Sequence, residues 1–252
     1  MLSSSPATHA SRMLVALLLA TSAVAWFALW RWGASPYAHG VHLYHDASGA
    51  DAGGFPAFII GWTLMTVAMM LPTISPLVVV FARAVDVRTD RVLLIAYLVA
   101  GYIAVWVLAG VGAYAAALGI RVAAFTIAPH RAVWMIGAGA LLIAGLYQFS
   151  PLKDRCLVHC RSPFSFMMER WSSEGFRGQA LSAGIRHGLF CVGCCWALML
   201  LMLPLGASNL AWMLLLGVVM AAEKNAPGGR QMSKPIGVIL LFLAVVVAIR
   251  GQ

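Results

Sequence analysis

The sequence predicts an all-α fold, a polytopic transmembrane helical bundle of about seven spans with a short cytoplasmic interfacial helix. Three observations predict it. The 252 residues are 62% hydrophobic and only 10% charged, with a mean hydropathy of +0.89, against about 25% charged residues in soluble domains. Several apolar runs exceed the 18 residues that mark a membrane span. The polar segments between them are too short for a folded domain of ordinary size, so residues 1–252 read as one integral membrane domain.

The spans follow in order. Span one is Met13–Trp30, after a polar start. Ala23-Val24-Ala25 resembles a small-residue signal cleavage site, but the apolar run continues through Trp26, Phe27 and Trp30, which favours a retained helix. Span two is Phe55–Ala82, with Pro72 predicting a kink and a freed Ala68 carbonyl, a device that builds ion sites in broken helices. Span three is 92–119 and span four 132–149. A long polar loop, 150–180, precedes span five, 181–205. Span six is 210–222, a polar turn covers 223–234, and span seven is 235–249. Gly184-x-x-x-Gly188 and the Ala109/Ala113/Ala117 series allow close helix approach. In the long loop, Ser162-Pro163 starts a helix whose Phe164, Met167, Met168 and Trp171 form one apolar stripe, an interfacial signature.

The net charge of +9 is spread through several loops with no basic run, which excludes a nucleic-acid partner. The positive-inside rule explains it. Arg12, Arg83, Arg88, Arg91, Lys153, Arg155, Arg161, Arg170, Arg177, Lys224, Arg230 and Lys234 fall on one side, and Arg31, Arg121, Arg131 and Arg250 on the other. This places the N-terminus in the cytoplasm and the C-terminus outside. Arg186, within span five, reads as reaching the cytoplasmic headgroups.

All five cysteines lie in two clusters, Cys156-Leu-Val-His159-Cys160 and Cys191-Val-Gly-Cys194-Cys195. An odd count beside a reducing compartment argues against a disulfide framework. At 100° per residue, His187, Cys191, Cys194, Cys195, Met199 and Met202 share an arc of about 140° over a rise of about 22 Å. Thiolates and thioethers are soft donors that select Cu(I), Zn or Fe–S centres, and a Cys/Met mixture leans toward Cu(I), with Zn the alternative. Cys and Met also pack as ordinary hydrophobes. Three cysteines within five residues exceed what packing requires, whereas Met199 and Met202 alone do not. Met65, Met69 and Met70, ahead of Pro72 in span two, form a second donor set, with Met65 and Met69 one turn apart on one face; a Pro-kinked packing helix filled by methionine is the equal alternative. The candidate ligands are therefore Cys191, Cys194, Cys195, Met199, Met65 and Met69, with Cys156, His159 and Cys160 as a cytoplasmic acceptor or second site.

Trp62-x-x-Met65-x-x-Ala68-Met69-Met70-x-Pro72, Gly145-x-Tyr147-Gln148-x-x-Pro151-x-Lys153-x-x-Cys156, Cys160-Arg161-Ser162-Pro163, Gly188-x-x-Cys191-Val-Gly-Cys194-Cys195-Trp196-x-Leu198-Met199 and Glu223-Lys224-x-x-Pro227 occur in this order. The set resembles a bacterial family of predicted metal-binding integral membrane proteins of unknown function, over roughly residues 55–237. The resemblance implies a multi-pass protein of the bacterial inner membrane that binds a metal.

His39, His42, His45 and Asp46 offer either an outer metal site or a solvated polar loop. Glu223-Lys224 reads as an interfacial ion pair or a snorkelling lysine, and a buried Glu223 as a gate. No phosphate loop, Gly-x-Ser-x-Gly or His-Glu-x-x-His motif is present, so ATP-driven pumping and hydrolysis lack a signature. The leading expectation is a non-enzymatic soft-metal binder acting in copper delivery or transport. It would work with the lipid bilayer and a metal-handling partner protein. The alternatives are a membrane thiol–disulfide oxidoreductase using Cys191-x-x-Cys194 and a structural or assembly subunit.

Overall fold

The computed structural model describes residues 6–33, 54–86, 88–127, 132–162, 175–205 and 209–251. The histidine loop at 39–46 and the interfacial helix expected after Ser162 lie outside these residues. Every regular element among them is helical: α1 (Pro6–Gly33), α2 (Gly54–Met70), a 3₁₀ turn (Pro72–Ile74), α3 (Ser75–Ala84), α4 (Arg91–Ile127), α5 (Ala132–Tyr147), α6 (Pro151–Arg161), α7 (Phe176–Leu200), α8 (Met202–Leu205), α9 (Leu210–Asn225) and α10 (Gly229–Arg250).

Four helices are long and apolar enough to cross a membrane, or six if each of two bent pairs is one span. About seven were expected. The sixth expected span is α9, whose 16 residues reach only about 24 Å, short of a roughly 30 Å hydrocarbon layer. The outer surface is apolar, with Leu108, Val92 and Phe242 all exposed.

Pro72 bends the second segment by 42°, as the sequence predicts. The freed Ala68 carbonyl does not line an ion site. It accepts from Ser22 Oγ at 2.5 Å and from Trp26 Nε1 at 3.2 Å, both on α1. A carbonyl opened by proline is thus closed by the neighbouring helix, which anchors α1 to the kink. α1 runs unbroken through Ala23-Val24-Ala25.

The close α4–α7 pair is built on glycine. A Cβ on Gly184 would sit 2.0 Å from the Leu98 carbonyl oxygen, and one on Gly101 would sit 2.4 Å from that of Leu181. The two backbones therefore touch, as small-residue spacing allows. This contact fixes the rotation of α7 and so the direction of its cysteines.

The expected loop at 150–180 begins with a helix. Ser150 Oγ caps α6 by accepting from Leu152 N, and Pro151 occupies the first turn. This start signal was visible in the sequence. α6 turns 67° from the preceding helix and packs against α7. The polar turn expected at 223–234 also shrinks. α10 begins at Gly229 and carries Pro235 inside it, while Gly228 takes a left-handed conformation (φ 75°) that suits glycine.

Candidate metal centre

α7 contributes the centre. The sulfur atoms of Cys191, Cys194 and Cys195 all lie within 4.8 Å of one another, and all three residues are buried. A turn of helix brings i, i+3 and i+4 onto one face, which is why this spacing gathers the thiols. Cys194 and Cys195 donate to the Cys191 carbonyl at 3.1 and 2.9 Å. All five cysteines are free thiols.

Neighbouring helices close the site. From α6, Cys160 Sγ lies 3.7 Å from Cys194 Sγ, and Cys160 is partly exposed. From the end of α2, Met70 Sδ lies 3.9 Å from Cys195 Sγ. The second and fifth expected spans therefore meet through sulfur. From α4, the Tyr102 hydroxyl lies 3.0 Å from Cys191 Sγ. From α9, Lys224 Nζ lies 3.0 Å from Cys191 Sγ, 3.2 Å from Met70 Sδ and 3.6 Å from Cys195 Sγ. The ammonium touches three of the sulfurs that a bound cation would use.

The donor set fits a soft ion. Three thiolates around one ion at metal–sulfur distances of about 2.3 Å stand about 4 Å apart. The observed trio reaches that arrangement by side-chain adjustment of under about 1 Å.

Met65 and Met199 are buried in the surrounding core. Met69 faces α9, where its Cε lies 3.3 Å from a Cβ placed on Gly217. Cys156 packs against Gly193 of α7, its Sγ only 2.6 Å from where a Cβ would be. His159 is exposed, stacks on Phe190 at 4.4 Å between ring centroids, and donates from Nδ1 to the Arg155 carbonyl at 2.8 Å. His187 is buried 6.0 Å from the Tyr102 ring.

Glu223 and Lys224 do not pair with each other, and Lys224 does not snorkel. Glu223 Oε2 accepts from Lys153 Nζ of α6 at 2.7 Å, and Oε1 accepts from Ser233 of α10 at 2.9 Å. Arg161 donates to the Glu223 and Ala226 carbonyls at 2.6 and 2.8 Å. These bonds tie α6 to the end of α9 and hold Cys160 against Cys194. A signal for the burial of Lys224 existed. Met213, Leu216, Met220, Glu223 and Lys224 recur at three- and four-residue steps, the period of one inward helix face. Met70 was legible only as one of the methionines before Pro72, and Tyr102 had no signal.

A buried, sulfur-rich donor set enclosed by apolar helices defines a soft-metal-binding helical protein. The chain belongs to the copper chaperone family PpoB2, whose model matches residues 59–247. Comparison with curated proteins and with solved structures gives no match.

Proposed function

We propose that this chain is an integral membrane copper chaperone of the bacterial inner membrane. It takes Cu(I) as cargo on Cys191, Cys194 and Cys195 and passes it to a metal-handling partner protein. One observation carries this reading: three buried thiols within 4.8 Å of one another, joined by Cys160 and Met70 from two other helices. Thiolates and a thioether favour Cu(I) over hard cations, with Zn(II) the competing cargo. The apolar outer surface supports residence in lipid. With the N-terminus cytoplasmic, α6 lies at the cytoplasmic face and Cys160 is the point of entry and exit.

Transfer is ligand exchange. The ion arrives on Cys160, then Cys194 binds it across the 3.7 Å gap, and Cys191 and Cys195 complete the site. Each coordinating thiol releases its proton. Lys224 leaves the sulfurs that the ion takes and keeps its positive charge beside the resulting anionic centre.

Metal analysis of the purified full chain, loaded with Cu(I) or Zn(II) under reducing conditions, tests the proposal. Wild type is expected to retain copper in preference to zinc, and the Cys191→Ser/Cys194→Ser/Cys195→Ser variant to lose it. Equal, negligible metal in both proteins overturns it. A Cys191–Cys194 disulfide that cycles in cells would favour the oxidoreductase instead.

A further inference from the structure

Apart from the thiols, a cavity of about 500 Å³ opens where α5 ends and α6 and α10 begin. Its walls include the first turns of both helices, Pro151 and Lys153 on one side and Arg230 and Ser233 on the other. Each helix start carries roughly half a positive charge, although Pro151 has no N–H and the Leu152, Gly229 and Gln231 N–H groups are bonded locally to Ser150, Ala226 and Gly228. Two such ends on one space make a site for an anion.

The side chains add to the same field. Lys153, Arg230 and Lys234 line the cavity against a single lining acid, Asp154. Arg230 holds Asp154 through both carboxylate oxygens, and Lys153 is held by Glu223 behind it. Counting Glu223, one positive charge remains in excess before the helix ends are added. No ion pair of Lys234 occurs among the described residues.

Gln148 is the independent pointer to a ligand. It lines the cavity and is only 4% exposed, yet neither its amide nitrogen nor its amide oxygen has a hydrogen-bond partner. Buried amides are ordinarily satisfied. A water would satisfy Gln148 but would not explain two helix ends and a cationic surround on the same space.

We propose that this cavity binds a phosphate-bearing anion, held by Arg230, Lys234, the Gln148 amide and the N-termini of α6 and α10. Arginine and lysine with helix N–H groups form the usual cradle for phosphate oxygens. The phosphate belongs to a soluble ion or to an anionic lipid headgroup. The site is separate from the copper reading, because none of its residues holds a sulfur of the centre.

The test uses the purified full chain in an uncharged detergent, with inorganic phosphate and short-chain phosphatidylglycerol as separate probes, read by native mass spectrometry and titration. Saturable binding of either probe is expected, weakened at least tenfold in Arg230→Ala/Lys234→Ala while copper retention is unchanged. Binding of phosphatidylglycerol alone identifies a headgroup site, and binding of inorganic phosphate identifies a soluble anion. If the double variant fails to fold, Gln148→Leu carries the same test. The Cys191→Ser/Cys194→Ser/Cys195→Ser variant is expected to bind the anion as wild type does, which separates failure here from failure of the copper reading. Wild type binding neither probe, or a folded variant binding as tightly as wild type, overturns the proposal.

Discussion

Lys153 and Lys224 are both buried, on neighbouring helices, yet their partners differ in kind. Lys153 meets the Glu223 carboxylate at 2.7 Å, with both side chains 2% exposed. Lys224, the residue after Glu223, meets the sulfur atoms of Met70, Cys191 and Cys195. A carboxylate compensates an ammonium permanently, and breaking such a pair strands a charge. Sulfur atoms hold an ammonium less firmly and can exchange it for a metal ion. The first lysine therefore fastens α6 to α9, and the second stands among the sulfurs of the proposed copper site. Successive residues on a helix differ by about 100° in direction, which lets Glu223 and Lys224 serve two regions.

The largest expected effect breaks the fastening pair. Glu223→Gln leaves Lys153 unpaired and should cost about 3–5 kcal/mol of stability, measured by unfolding in mixed micelles. Replacing both partners, Lys153→Met with Glu223→Leu, should recover most of that loss. A single variant as stable as wild type would show that the pair does not lock the helices.

Next, Lys224→Met is expected to fold with a melting temperature close to wild type but to bind Cu(I) about tenfold more weakly, near 1.4 kcal/mol. The physical reason is loss of the charge that compensates the thiolate–copper centre. Competition with a Cu(I) chelator measures it. Tighter binding would make Lys224 a competitor of the ion rather than its counter-charge, and would redraw the contrast between the two lysines.

A smaller effect separates the methionines. Met70→Leu should weaken Cu(I) binding roughly threefold, because a thioether is a secondary soft donor beside thiolates. Met69→Leu, on the α9-facing side, should not change affinity. Reversal of that order in the same chelator titration would assign the thioether to the other methionine.

The smallest effect lies outside the long apolar helices, at Asp90. Hydrogen bonding from Arg88, helped by its charge, holds the Asp90 carboxyl below the usual carboxylate range against the opposing effect of desolvation. Its folded-state pKa is depressed, so the stabilisation is present above the unfolded carboxyl pKa, about 3.9. It is lost as pH falls through the folded value. Wild type and Asp90→Asn should therefore converge in thermal stability at acid pH and separate only slightly at neutral pH, because the pair is partly exposed and its attraction is screened by solvent. A large neutral-pH difference would contradict this.

Much of the fold was legible because lipid-like runs and proline have local signatures. The apolar segments, the Pro72 bend and the small-residue contact of Gly184 follow from composition, missing donors and missing side chains. The α6 start at Ser150-Pro151 was equally local, but a polar run of 11 residues between apolar ones resembles a loop. The cysteine trio was legible because i, i+3 and i+4 positions on a helix adjoin whatever surrounds them.

The sequence by itself determined an all-helical apolar protein with three thiols on one helix face, since both follow from periodicity. Tertiary structure decided the rest of the centre. It set Met70 beside Cys195 and Met69 beside Gly217, brought Cys160 to Cys194 while stacking His159 on Phe190, and aimed Lys224 at sulfur rather than at Glu223. Those choices depend on the rotation and depth of separate helices, set by glycine contacts and buried polar ties between residues as far apart as Lys153 and Glu223, distances over which no sequence period carries information.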